Sequence, residues 1–316
     1  MYYYLIIMLT IIVLAGLFCY YKRDKEFLPQ KGEKVKAIRQ KKEENYEEQQ
    51  QPVVHERLPH TSHNLSRQYI RLLGSFVVKD KHGEDITNLF TQKLRLLLTL
   101  LILGTEDDPN GISGDVISEI LWPGKHKYAA RNNRNVSISK LRILLESVGG
   151  ISILNQGNYW KMVFDEDVLC DYAEIMIYYR NIKQNKLKDE FHTNLLLHLL
   201  QPGALLNQVN IDWVTYQKGL FSYQTVEILG ALLAEPSITN DELKIKIADA
   251  LLQHDGMNEY AIRIKCMLLD QMGKTKAMEL SFNEFCINYA NLLGVKYEKT
   301  LKEVLEEEEV FDKMIC

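Results

Sequence analysis

Cysteine is scarce in this 316-residue chain. The five present, Cys19, Cys170, Cys266, Cys286 and Cys316, are odd in number, and no two stand in Cys-x-x-Cys spacing. That excludes a secreted disulfide framework and a thiolate zinc cluster, and points to reduced thiols in a cytoplasmic body. Catalytic signatures are missing as well. There is no Gly-x-Gly-x-x-Gly, P-loop, His-Glu-x-x-His or Gly-x-Ser-x-Gly, and the eight histidines form no ligand-like pair. The acid pairs Asp107-Asp108 and Asp241-Glu242 read as a loop and a first helical turn. No catalysis, cofactor or metal is therefore expected. What remains is a chain of ordinary globular composition, 46% hydrophobic and 25% charged, long enough for two domains.

Charge is unevenly spread. The first twenty-one residues carry none. The formal net charge is −4, but residues 69–164 hold 12 basic and 9 acidic side chains, and residues 165–316 hold 15 and 25. A small negative total thus does not exclude nucleic-acid binding by the basic part. Residues 2–21 form an apolar run that would rise about 30 Å as a helix, the thickness of the hydrocarbon core. Tyr2, Tyr3 and Tyr4 at one end and Tyr20 and Tyr21 at the other suit the two membrane interfaces, and Lys22, Arg23 and Lys25 follow. The expectation is a transmembrane anchor at 1–23 with the lipid bilayer as partner. It is single-pass in the inner (cytoplasmic) membrane, with the carboxy-terminal body in the cytoplasm. A cleaved signal peptide is disfavoured, since no positive n-region or Ala-x-Ala-like site is present, and Gly16-Leu17-Phe18 before Cys19 is a poor lipobox. Residues 24–66 read as a flexible cytoplasmic tether, basic over 31–42 and acidic and amide-rich over 43–51.

From residue 67 the texture becomes that of a small α/β module ending near 170. Residues 69–78 read as a β-strand broken by Asp80-Lys81-His82-Gly83. Thr91 is the N-cap of an apolar helix over 93–103 that Gly104 ends, and Ser113 caps a short helix over 115–121 stopped by Trp122-Pro123-Gly124. The next helix, 126–148, is the most informative. At 100° per residue, Ala130, Ile138, Leu141, Leu145 and Val148 share a core stripe, while Asn132, Asn135, Val136 and Ser139 point the other way. Arg131 and Arg142 flank that outer face on one side and Lys140 on the other. Six basic residues and no acidic one lie between Lys125 and Arg142. Asn and Arg side chains suit base edges, and a Val suits a thymine methyl. Arg134 falls near the core edge and is assigned to a frayed amino-terminal turn, on phosphate. Residues 151–154 and 159–164 make a hairpin around Asn155-Gln156-Gly157-Asn158. Sheet, three helices and hairpin in this order describe a winged helix-turn-helix.

Ile120-Leu121-Trp122-Pro123, Ala130-Arg131-Asn132-Asn133 and Ser139-Lys140-Leu141-Arg142, with the wing Gly157-Asn158-Tyr159-Trp160 and the junction Cys170-Asp171-Tyr172, resemble the DNA-binding domain of bacterial transcriptional activators. These are the antibiotic-regulatory type, with an OmpR-like winged helix. The resemblance implies double-stranded DNA as partner. It implies base reading by Asn132, Asn135, Val136 and Ser139. Phosphate contact would come from Thr91 and Lys93 at a helix amino terminus, from Arg131, Lys140 and Arg142, and from Asn158 and Lys161 on the wing. No phospho-acceptor receiver domain is recognisable.

Residues 171–316 read as successive helices at 172–183, 187–200, 213–234, 241–253, 258–272, 274–293 and 298–308. Thr239 and Glu242 form a capping-box pattern, and Gly273 and Gly294 are C-caps. Residues 254–261, 273–277, Phe282 and 293–295 resemble the tetratricopeptide-like bacterial transcriptional activator domain of the same family. Trp213, Tyr216 and Tyr223 could line a partner surface, but core packing is the favoured expectation. The fold class is therefore mainly α with a small α+β part: one transmembrane helix, a winged helix-turn-helix, then a tetratricopeptide-like helical bundle. The expected function is a membrane-anchored, sequence-specific transcriptional regulator whose helical domain receives a signal or a protein partner. A homodimer is compatible with it, although no heptad seam marks one. The alternative is a membrane-tethered scaffold with a degenerate winged-helix adaptor.

Overall fold

Residues 68–306 are described in the computed structural model of the chain. Its β-rich opening folds as two short strands in place of one. β1 (Tyr69–Arg71) pairs antiparallel with β2 (Val77–Lys79), Ile70 facing Val78, and parallel with β6 (Leu169–Cys170). The break between β1 and β2 has a distant cause. Leu72 and Leu73 donate their backbone N–H groups to the carboxylate of Asp171, at 2.8 and 2.9 Å, and Tyr172 N–H donates to it at 2.7 Å. Leu72 in turn accepts from Leu206 N–H, and Gly74 (φ +69°) donates to Ala204, both at 2.8 Å. These bonds bend the chain out of the strand and bind it to the carboxy-terminal half.

α1 (Gln92–Asp107) is the central element. Thr91 Oγ1 caps it by accepting from Leu94 N–H. Leu97, Leu98, Leu100, Leu101, Ile102 and Leu103 are all buried, as expected of a helix that is apolar all round. It runs past Gly104 instead of ending there, because that glycine serves packing. A Cβ at 104 would lie 2.7 Å from Ile112 Cβ on β3 (Ile112–Ser113), which crosses at that point. α2 (Gly114–Leu121) is capped by Ser113 Oγ, and α3 (Lys127–Val148) packs on α1 and α2 through the expected stripe, Ala130 to Val148, every member of it buried. The hairpin β4 (Ile151–Gln156) and β5 (Tyr159–Phe164) turns at Gly157 (φ +64°) and Asn158, and β3 joins its β5 edge.

Seven helices follow among the described residues: α4 (Asp171–Lys183), α5 (Glu190–Leu200), α6 (Asp212–Leu233), α7 (Asp241–His254), α8 (Glu259–Gln271), α9 (Thr275–Leu293) and α10 (Leu301–Glu306). α6 packs on α7, α7 on α8, and α8 on α9. α5 starts later than expected because Asn185 (φ +57°) and Leu187 (φ +54°) adopt left-handed backbone before Asp189 caps it. The Thr239–Glu242 capping box does not form. Asn240 Oδ1 caps α7 through Leu243 N–H at 3.0 Å, while Glu190 Oε1 on α5 accepts from Thr239 N–H, Thr239 Oγ1 and Asn240 N–H. Gly273 (φ +66°) and Gly294 (φ +73°) end α8 and α9 as expected. Tyr216 and Tyr223 depart from their expected core positions. They are 64% and 70% exposed on the outer face of α6, because Val214, Phe221 and Ile228 take the inner face. One apolar core runs without interruption from Ile70 to Ala261, across residues 170 and 171, and a smaller cluster around Cys266, Phe282 and Phe285 closes the end.

The expected membrane-spanning architecture is corrected. No helix among the described residues is long and apolar enough to cross a membrane. The span expected at 2–21 and the tether at 24–66 lie outside the described residues. The longest described helices serve other ends: α3 presents an exposed basic face, and α6 buries one side in the protein core. The expected transmembrane helix, and the inner-membrane location and lipid-bilayer partner that rested on it, therefore find no support among the described residues.

Burial pushes the Asp171 carboxyl up to about 6 against the three N–H donors that favour its ionised form. A raised carboxyl contributes stability that is complete below its ordinary value of 3.8 and is lost as pH rises through about 6. Chemical unfolding of the intact chain between about pH 4 and pH 7 should show a loss of roughly 2 kcal/mol through this group. Asp171→Asn should lack that component: it should be less stable by about 1–3 kcal/mol near pH 4, where its NH2 group faces donors, and the difference should close toward pH 7. An unchanged pH profile in the variant would contradict this role.

Candidate nucleic-acid interface

α3 owes its two faces to its sequence alone. Its inner stripe is apolar and buried, and on its outer face Arg131, Asn132, Asn135, Val136, Ser139, Lys140 and Arg142 are all exposed. Val136 is 47% exposed. The wing stands beside this face, and between them lies a polar cleft of about 320 Å³. Arg131, Arg134, Asn135, Ser139 and Arg142 from α3 line it, together with Asn155, Asn158 and Trp160 from the hairpin. No carboxylate is among its lining residues.

Trp160 organises the cleft. The guanidinium carbons of Arg134 and Arg142 lie 5.9 and 5.8 Å from its ring centroid, within cation–π range. Arg142 Nη2 also donates to the Ile153 carbonyl at 2.8 Å, tying α3 to β4. At the wing tip Asn158 Nδ2 donates to Asp115 Oδ2 at 3.1 Å, and its carbonyl accepts from Gly114 N–H at 2.7 Å. The start of α2, the middle of α3 and the hairpin tip are thus bonded together.

The structure separates the expected DNA-contacting residues. It brings Arg131, Arg134, Asn135, Ser139, Arg142 and Asn158 to the cleft and leaves Asn132, Val136 and Lys140 on the open face of α3. Arg134 is a correction. It is 4% exposed, not on a frayed turn, and its Nη1 donates to Ser118 Oγ at 3.2 Å. Burial lowers its pKa, Asp115 opposes that, and Arg131 adds to it; a guanidinium so placed remains charged. Thr91 uses its hydroxyl on its own helix, and Lys93 donates to the Leu121 carbonyl while lying over the Trp122 ring. Strand alternation places Lys161 on the opposite face of β5 from Trp160. Thr91, Lys93 and Lys161 therefore lie outside the cleft.

Two residues escaped the reading of the sequence. Tyr128, 78% exposed and stacked on His126 at 5.5 Å, continues the outer stripe of α3 at its amino-terminal end. Its spacing from Asn132, Asn135 and Ser139 was the available signal. Trp160 was legible only as part of the wing motif; its role in the cleft was not, because its partners lie 18 to 26 positions away in α3.

Among solved structures, the fold is similar to that of Mycobacterium tuberculosis EmbR in complex with a low-affinity phosphopeptide. The TM-score is 0.51 at 16% identity, over 76% of this chain and 64% of that one. The likeness is one of fold, and the chain spans less than two thirds of the EmbR chain. No family model and no curated protein matches.

Gly111 (φ +85°) lets β3 pass the wing, since a Cβ there would overlap the Trp160 carbonyl, whereas Gly157 at the tip faces open space. Gly111→Ala should therefore destabilise by about 3 kcal/mol or more, and Gly157→Ala by about 1 kcal/mol from backbone strain alone. Thermal unfolding distinguishes the two, and equal costs would show that β3 and the wing are not in close contact.

Proposed function

We propose that this chain is a sequence-specific DNA-binding transcriptional regulator, with residues 67–170 as a winged helix-turn-helix and residues 171–316 as a helical protein-interaction domain. The observation that carries the reading is the outer face of α3. It is a helix face of amides, Val136 and basic side chains with no acidic residue from 125 to 142, held by a buried stripe beside an ordered wing. Such a helix docks in a major groove with its amino-terminal part on base edges, while its cations neutralise phosphates and set register. Asn132, Asn135, Val136 and Ser139 read bases in this proposal, and Arg131, Lys140 and Arg142 contact phosphate. The fold shared with EmbR supports the combination of a winged helix and a helical array. EmbR was solved with a phosphopeptide, and the outward Tyr216 and Tyr223 on α6 support a protein partner for this chain as well. The proposal assigns no catalytic step and no cofactor.

Because one core joins the two halves, the test uses the full chain. Fluorescence anisotropy against duplex DNA should show affinity falling steeply with salt. Replacing Arg131, Lys140 and Arg142 together with Ala should weaken binding to every duplex and lower the log–log salt slope by about two to three. Asn132→Ala or Asn135→Ala should cost about 1–3 kcal/mol on the preferred sequence and little on others. Absence of duplex binding at low salt would overturn the reading in favour of a protein scaffold.

A further inference from the structure

The interior of the helix–wing cleft contains an electrostatic imbalance. Arg134 is buried, its Nε has no hydrogen-bond partner, and it makes no ion pair among the described residues. Its one hydrogen bond is to a neutral hydroxyl, that of Ser118. The nearby Asp115 carboxylate accepts from Asn158 instead. A buried cation without a direct ion pair is costly, and the Asp115 carboxylate nearby offsets only part of that cost. Trp160 Nε1 is a second buried donor without an acceptor in the same wall. At the rim, Arg131 and Arg142 add two exposed guanidiniums and Asn135 adds a neutral amide, while the Ser139 hydroxyl donates to the Asn135 carbonyl and Asn158 Nδ2 to Asp115. Three guanidiniums, the Trp160 Nε1 and Asn135 amide donors, and no lining carboxylate around a space of about 320 Å³ form a charge-complementary receptacle for a small anion.

From this we propose that the cleft between α3 and the wing is a discrete site for a single phosphate group, contacted by Arg131 and Arg142, with Arg134 as the positioning charge beneath it. The backbone phosphodiester of a duplex is the source that the proposed function supplies, so in this form the site rests on that reading. It differs from general phosphate neutralisation in one respect. A single linkage, seated where the recognition helix meets the wing, fixes the register of the helix along the groove. Lys140, on the open face, contributes only to the general attraction.

The test has two arms on the full chain. In the first, uncharged methylphosphonate linkages are placed one at a time along a bound duplex. One linkage per binding site should lower affinity by about tenfold or more, and in Arg131→Gln or Arg142→Gln the same linkage should matter less than about twofold. Lys140→Gln should leave that linkage as sensitive as before. In the second arm, inorganic phosphate is titrated without DNA and tryptophan fluorescence is followed. The response should saturate, should vanish in Trp160→Phe, and should weaken in Arg131→Gln, a surface change that spares the core. Duplex binding with no arginine-dependent linkage, together with no phosphate response, overturns the site and leaves the DNA-binding reading standing. A phosphate response without any duplex binding keeps the anion site and overturns the DNA reading.

Discussion

The carboxylate of Asp171 is where the two halves of this protein become one. It lies at the first residue of α4, accepts the N–H groups of Leu72, Leu73 and Tyr172, and is wholly buried. Two of those donors belong to the segment that leaves β1, about a hundred residues earlier in the chain. Without an acceptor they would be buried and unpaired, at a cost of about 1–3 kcal/mol each. Their bonds end the strand, turn the chain toward Leu206, and dock the amino-terminal sheet against α4. The position of α1 follows, since it packs against β5, α3 and α4 at once. The winged helix is consequently built onto the helical array, with α1 packed against both α3 and α4.

A second set of bonds governs the posture of the wing. Trp160 under two guanidiniums, Arg142 on the Ile153 carbonyl and Asn158 on Asp115 hold the hairpin against α3. Each contact is modest, on the order of 0.5–1.5 kcal/mol. Together they give the cleft a defined width and place the outward amides at a set distance from the wing. Preorganisation of this kind lowers the ordering entropy that a complex must overcome.

The parts of the fold that were legible in the sequence are those governed by local rules. The buried and exposed faces of α3 follow from 3.6-residue periodicity, and Thr91, Ser113, Gly273 and Gly294 act as their types dictate at helix ends. The misreadings arise where a distant group overrides a local preference. β1 is cut short by Asp171, and Thr239 gives its hydroxyl to Glu190, 49 positions away, rather than to a capping box. Gly104 stays helical because Ile112 needs the space. Arg134 lay near the core edge on the wheel, but its charge argued for solvent; only the pairing of Trp160 and Ser118 in space makes its burial intelligible. Tyr216 and Tyr223 were assigned to the core on hydrophobicity, and the geometry of α6 turns them outward. The apolar run at 2–21 suggested a membrane span that finds no counterpart among the described helices.

Selection from a random duplex library tests the central claim most directly. The full chain is incubated with the library at moderate salt, bound molecules are amplified, and the cycle is repeated. If the outer face of α3 reads bases, successive rounds converge on one short motif. If the chain does not read DNA, the recovered pool remains as random as the input, and the regulatory account is contradicted.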